Sequence, residues 1–298
     1  MSAPAARIFS PVRILALALN TLTELARLKI FYFLLIFALL VIGNSLFMAK
    51  LSFEQELQML KDVALGAMAI FTSLIAILAT ATLLPKDIED RTVYTILSKP
   101  VPRYEYLAGK LLGILLLLGI TTLVMSALFC LVLWVRESTL IGQATAQFHD
   151  NQLSREELDI FISQVKTAGF NVNLIPGIAT IFFKASLLAS LTLLITTFAT
   201  SSIFAMIISI AIYFIGHLQA TARGFWLGDV NQTSWLVKAL LAIVALLFPD
   251  LQAFSLTDIV VAGDPISLTI TLQTAALGAM YVVIYFLLSC FIFQNREL

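Results

Sequence analysis

The sequence predicts an all-α integral membrane protein. It has six transmembrane helices, an N-terminal interfacial helix, a cytoplasmic helix between spans two and three, and a short re-entrant or interfacial helix before span six. Two observations set this class. The 298 residues are 60% hydrophobic and only 12% charged, against about 45–50% and about 25% in an average soluble domain. The apolar residues are also gathered into runs of roughly the 20 residues that a helix needs to cross a bilayer. A formal net charge of zero lacks the basic excess of a nucleic-acid binder. Cys130, Cys290, His149 and His217 are the only cysteines and histidines, too few and too scattered for a zinc site. The two cysteines are expected near opposite membrane faces, which argues against a disulfide between them.

Taken in order, residues 1–29 are expected to hold the interfacial helix. The apolar core "ILALAL" after Arg7 and Arg13 is shorter than the about 7–15 residues of a signal peptide. Leu15, Leu19, Leu22 and Ala26 recur at helical spacing, as an amphipathic surface helix requires. Glu24 and Arg27 lie one turn apart and are placed to pair. The spans are expected at about Ile30–Phe47, Val63–Leu84, Leu107–Val135, Ile175–Thr200, Ile203–Ala220 and Ile266–Phe293. The run 235–248, with Lys238 inside it, is short for a span and reads as re-entrant or interfacial; a seventh crossing stays open as the alternative. No repeat or linker divides the chain, so residues 1–298 form one domain.

Lys and Arg distribution sets orientation. With the N-terminus inside, the cytoplasmic face collects Arg7, Arg13, Arg27, Lys29, Lys86, Arg91, Lys99, Arg103, Lys110 and Arg296. The other face receives Lys50, Lys61, Arg136, Arg155, Lys166, Arg223 and Lys238, three of them in one long loop that the rule discounts. Both termini are therefore expected in the cytoplasm. The extracytoplasmic loop, 136–174, carries one short helix, "LSREELDIFISQVKTAG". Ser154 and Glu157 make a capping box, with Leu153 and Leu158 as a hydrophobic staple. Leu158, Phe161, Ile162 and Val165 share a face, and Gly169 is a natural stop. This helix reads either as a lid on the membrane domain or as a docking face for an outside partner.

The most charge-dense stretch is "LPKDIEDRTVYTILSKPVPRYEYLAGKLLG", Leu84–Gly113. Pro85 is expected to close the second span. Ile88, Thr92 and Ile96 then stack at helical spacing, and Asp87, Glu89 and Asp90 load the first turn, where the helix dipole favours acids. Pro100 and Pro102 end that helix. "RYEYLAGK" re-enters the membrane, with Tyr104, Tyr106 and Lys110 as interfacial anchors. Such a segment is either a plain connector or a stiff element that takes a push from a soluble partner.

These residues resemble the signature of ABC-2 type transporter permeases: an acidic–x–basic–Thr group, a "LLSKP"-like stretch, and an Arg–x–x–Tyr–x–x–Gly–Lys run. Glu89, Arg91, Thr92, Leu97, Ser98, Pro100, Arg103, Tyr106, Gly109 and Lys110 match it. Many family members carry Gly where this chain has Arg91. The layout of spans and the stretch "FPDLQAFSLTD" before the last span resemble the family too. The resemblance implies a membrane subunit that pairs with a second permease copy, identical or related, and docks a cytoplasmic ABC ATPase. Asp87, Glu89, Arg91, Thr92, Leu97, Pro100 and Arg103 would form the ATPase-coupling segment, with Tyr106, Gly109 and Lys110 anchoring the re-entry. It places the chain in the bacterial inner (plasma) membrane.

The chain itself lacks a P-loop: before Gly109–Lys110 the first glycine position holds Tyr104, and Leu111 follows. No cofactor is expected in this chain, ATP and Mg²⁺ being bound by the partner. Lys184, deep in the fourth span, either faces the translocation pathway and meets an anionic cargo group or snorkels to the outer interface. His217 is expected as an interface or capping histidine. Two alternatives to the permease stand. One is a non-transporting module that acts mechanically on an envelope partner. The other is an ATP-independent carrier or channel, which the lack of acidic groups inside the spans disfavours.

Overall fold

The computed structural model describes residues 10–49, 56–92, 101–149, 155–171, 173–228, 249–262 and 267–295. Among these residues there are nine α-helices and no strands. They are α1 (Pro11–Ala26), α2 (Lys29–Ala49), α3 (Glu56–Glu89), α4 (Arg103–His149), α5 (Arg155–Ala168), α6 (Leu174–Phe198), α7 (Ser202–Gly228), α8 (Thr257–Ala262) and α9 (Leu268–Asn295). A single 3-10 turn, Gln252–Phe254, precedes α8. Six helices, α2, α3, α4, α6, α7 and α9, are long and apolar enough to cross a membrane, matching the six expected spans. The run 235–248 lies outside the described residues, as do Ser154 and Leu153 of the expected capping box and staple.

The helix α6 is the centre of the bundle, packed against α3 and α9. Its interior is rich in small hydroxyl residues. Thr180, Ser186 and Ser190 are buried and turn their hydroxyls back onto carbonyls of their own helix, each at 2.8 Å. A hydroxyl satisfied within its own helix leaves a short side chain on the surface, so neighbouring helices approach closely without a stranded polar group. The spans α2, α7 and α9 keep large apolar side chains exposed, among them Phe33, Leu40, Ile207, Phe214, Leu287 and Phe291, as surfaces facing lipid tails should.

Several expectations change. Pro85 does not close the second span; α3 runs through it to Glu89. A proline removes one helical hydrogen bond, but Leu84, Pro85 and Asp87 are buried here, and that packing outweighs one lost bond. The start of the expected cytoplasmic helix is thus the last turn of α3, and residues 93–100 lie outside the described residues. The third span continues to His149, so the region between spans three and four is less of a loop than expected. At the 1.5 Å rise per residue this helix is about 70 Å long, far beyond the hydrocarbon core. No proline interrupts it, and Arg136, which it carries, pairs with Glu56 of α3.

On α1, the buried stripe is Ile14, Ala18, Thr21 and Leu25, whereas Leu15 and Leu19 are more than half exposed. The stripe is offset by one residue from the expected one because α1 packs on protein through its smaller side chains. On α5 only Leu158 and Val165 of the expected face are buried.

Candidate functional site: the joint behind the polar loop

The loop face of the bundle is organised by contacts between α1, α3 and α4. The residues that make α4 fit α1 are two glycines one turn apart. A Cβ on Gly109 would lie 2.4 Å from the Leu17 Cβ, and one on Gly113 would lie 2.6 Å from the Thr21 Cβ and 2.7 Å from the Ala18 carbonyl oxygen. The four-residue step on both helices sets α1 and α4 running parallel, backbone against side chain, a close approach that only glycine allows.

That approach brings together a set of charges far apart in sequence. The Lys110 ammonium lies 2.7 Å from Asp87 Oδ2 and 3.2 Å from Glu24 Oε2. Lys86 reaches the other oxygen of Glu24 at 3.6 Å. The Tyr106 hydroxyl donates to Asp87 Oδ2. The Thr92 hydroxyl reaches the Asp87 carboxylate and its backbone carbonyl, 3.1 Å from Oδ1 and 3.1 Å from O. Asp87 and Lys110 are buried and Tyr106 is fully so. A buried pair is tolerated when other hydrogen bonds support it; here Lys110 meets two carboxylates, and Asp87 also accepts from Tyr106 and Thr92.

A second ion pair fixes the start of α1. Arg13 Nε lies 3.0 Å from Glu105 Oε2, and the Ser10 amide donates to Glu105 Oε1 at 2.8 Å. Glu105 is fully buried. A third contact reaches the end of the chain. Arg103 donates to the carbonyls of Phe293 and Gln294 at 3.0 and 2.9 Å, capping α9. Its guanidinium sits over the Phe293 ring, which stacks on Tyr106 with centroids 6.0 Å apart.

The tip of this joint points outward. Glu89 and Asp90 are exposed, α3 ends there, and Arg91 turns the chain with φ 56°. That is the left-handed region, where a non-glycine residue is strained. Between α1, α3 and α4 lies a cavity of about 430 Å³ whose walls include Asn20, Glu24, Arg27, Lys86, Asp90 and Lys110.

The expected site residues are therefore sorted by the fold. Asp87, Thr92, Arg103, Tyr106, Gly109 and Lys110 belong to one joint, while Glu89 and Arg91 lie on its exposed rim. Leu97 and Pro100 lie outside the described residues. Tyr106 and Lys110 do not anchor at an interface; they are buried in the protein, and only Tyr104 is exposed. Glu24 pairs with Lys110 and Lys86 in place of Arg27. Reading the sequence alone missed Arg13, Glu24 as a hub, and Glu105. A signal was present: Glu105–Gly109–Gly113 and Tyr106–Lys110–Gly113 recur at i, i+4, i+8 and i, i+4, i+7, a polar and small face on an otherwise apolar helix.

Lys184 sits apart, in the bundle interior. It is buried, does not snorkel, and its ammonium lies 2.8 Å from His217 Nε2. His217 Nδ1 lies 3.1 Å from the Tyr213 carbonyl oxygen, so that nitrogen carries the proton and Nε2 accepts from Lys184. His217 is thus a partner to Lys184 and not an interface cap. Cys130 and Cys290 are free.

A helical domain of six candidate spans, with a charged joint between its N-terminal helix and a polar loop, defines a multi-pass membrane protein. The chain belongs to the ABC-2 family of transporters: the family model described as "ABC-2 family transporter protein" matches residues 28–298. The match leaves out α1. No curated protein matches the chain. Members of this family are membrane components of ABC transporters and are not themselves catalytic.

Proposed function

We propose that this chain is the permease subunit of an ATP-driven ABC-2 exporter. It forms the translocation pathway with a second permease copy and is driven by a separate cytoplasmic ABC ATPase that binds ATP and Mg²⁺. It sits in the plasma membrane, the inner membrane of a bacterium, with both termini in the cytoplasm. The observation that carries this reading is the joint itself. Asp87 on α3, Lys110 on α4 and Glu24 on α1 are tied by contacts of 2.7 and 3.2 Å, directly behind the exposed rim of Glu89 and Arg91.

A force applied to that rim enters three helices at once. Arg103 passes it on to the end of α9 through its two carbonyl contacts. Surface charges alone would tune a connector only weakly, whereas a buried, hydrogen-bonded pair transmits displacement because breaking it is costly. Glu89, Asp90 and Arg91 offer the ATPase charged groups of both signs. The absence of a P-loop in the sequence agrees with an energy source on another chain.

Affinity purification in mild detergent tests the reading. An ATP-binding subunit is expected to copurify, and the Glu89→Gln and Arg91→Gly variants are expected to lower its ATPase-coupled activity without loss of membrane insertion. Repeated purification of the chain with no ATP-binding partner would falsify it.

A further inference from the structure

At the end of α3 opposite the polar loop lies a second cavity, of about 300 Å³, lined by Gln58, Lys61, Ser163, Gln164, Thr167, Ala168, Val261 and Ala262. Three elements line it: the first turns of α3, the helix α5, and α8. Lys61 was expected among the charges of the face opposite the cytoplasm. Instead it is 1% exposed, and among the described residues its ammonium makes no ion pair and no hydrogen bond. Glu137 acts on it through space only. That carboxylate instead accepts from the Phe170 amide at 3.3 Å, and neighbouring Arg136 is paired with Glu56. A buried ammonium carries three donors and no acceptor, and leaving it without a partner is costly.

The other walls say what the partner should be. The Ser163 and Thr167 hydroxyls donate to the carbonyls of Ile160 at 2.7 Å and Ser163 at 2.8 Å. Their protons are committed along α5. Gln58 and Gln164 bring amide donors, and Ala168, Val261 and Ala262 form an apolar side. An ammonium excludes a metal cation from the same space. A neutral ligand would leave the charge uncompensated. Lys61 is the sixth residue of α3, about 8 Å from its outer end, and the apolar run begins at about Val63. Headgroup phosphates lie just beyond the hydrocarbon core, so a lysine two residues before that run is placed to meet one.

We infer that this cavity is a binding site for a phosphate-type oxyanion, held by Lys61 with the amides of Gln58 and Gln164, and that its occupancy clamps α5 and α8 onto the second span. The site is distinct from the loop-face joint and does not depend on ATPase coupling. A lipid headgroup and a soluble phosphate present the same chemistry, so the test separates them.

Thermal unfolding of the full chain is followed in detergent with and without inorganic phosphate. It is followed again in nanodiscs of phosphatidylglycerol against phosphatidylcholine. Wild type is expected to gain several degrees with phosphate, with phosphatidylglycerol, or with both. A response to phosphatidylglycerol alone assigns the site to a lipid, and a response to phosphate assigns it to a soluble group. Lys61→Met is expected to weaken the apparent affinity roughly ten-fold or more, the factor set by losing a hydrogen bond to a charged group. Because Lys61 is buried, Gln164→Leu on the exposed face of α5 serves as the second variant and is expected to weaken binding while folding normally. No response in wild type to either source overturns the proposal. So does an undiminished response in both variants. So too does Asp264→Asn, two residues beyond α8, reproducing the Lys61→Met melting curve with no anion added, since the ammonium's partner would then be this chain's own carboxylate.

Discussion

Lys110 and Asp87, 23 positions apart in sequence and on different helices, meet at 2.7 Å in the protein interior, and the Tyr106 hydroxyl donates to the same carboxylate oxygen. The pair locks the end of α3 to the start of α4 across the loop that joins them. Its burial makes it a joint and not a surface ornament, because each charge depends on the other for its solvation.

The losses from removing each partner should therefore not add. Asp87→Asn or Lys110→Met is expected to destabilise the chain by about 3 kcal/mol, the range for a stranded buried charge. The double variant Asp87→Asn/Lys110→Met is expected to lose less than the two single losses added together. Melting temperatures in detergent check this, read as a double-mutant cycle. Additive losses would show that the two groups do not interact.

Arg91 offers a separation of fold from contact. Its φ of 56° is strained for an L residue by roughly 1–2 kcal/mol, so Arg91→Gly should stabilise the chain by about 1 kcal/mol while removing an exposed charge. Arg91→Val should destabilise it, since a β-branched side chain is the worst fit there. If Arg91→Gly melts higher yet loses ATPase coupling, Arg91 is a contact residue. If coupling is unchanged, the residue serves only the turn.

The glycine seat of α1 predicts a contrast among small substitutions. Gly109→Ala and Gly113→Ala place a methyl group within 2.4 and 2.6 Å of α1 side chains. Each is expected to cost about 1–3 kcal/mol by overpacking and to free α1, read as faster proteolysis near its start. Gly66→Ala on α3, where a Cβ meets nothing within 4 Å, is expected to be neutral or stabilising. Equal tolerance at all three sites would mean that α1 does not depend on this seat.

Lys184 is expected to behave as a functional and not a structural residue. Its only described partner is the His217 ring, and a buried cation without a carboxylate adds little to stability. Lys184→Met should leave the melting temperature unchanged or higher. Export activity should fall if the group meets an anionic cargo. A sharp drop in melting temperature would instead mark the Lys184–His217 contact as structural.

The helix α5 tests the mechanical alternative. Deletion of 145–169 removes α5 together with one wall of the Lys61 cavity. Transport and ATPase activity should both persist if α5 is a lid. Loss of cellular function with ATPase activity retained points instead to an outside partner acting through this region.

Class, span number and the place of the polar loop could be read from composition and run length, because a bilayer imposes a length and an apolar content on each helix independently of what packs beside it. The loop residues stood out for the same reason: charge in an apolar chain is conspicuous. The ends of elements were less legible. Pro85 and Arg136 both looked like boundaries, yet helices run through them because buried neighbours and an ion pair compensate for the local penalty. Propensity is a weak prior where tertiary contact is strong.

Pairing was the least legible. The sequence by itself determined that this is a six-span helical membrane chain with a charged, proline-punctuated loop and no nucleotide-binding motif. Only the tertiary structure decided that Asp87, Lys110 and Glu24 form one joint, that Arg103 holds the end of α9, and that Lys61 is buried with no partner among the described residues. Spans are local properties, set by the solvent each segment meets. A pairing of residues far apart in the chain depends on how closely two helices approach, and at the loop face that distance is set by two glycines on α4.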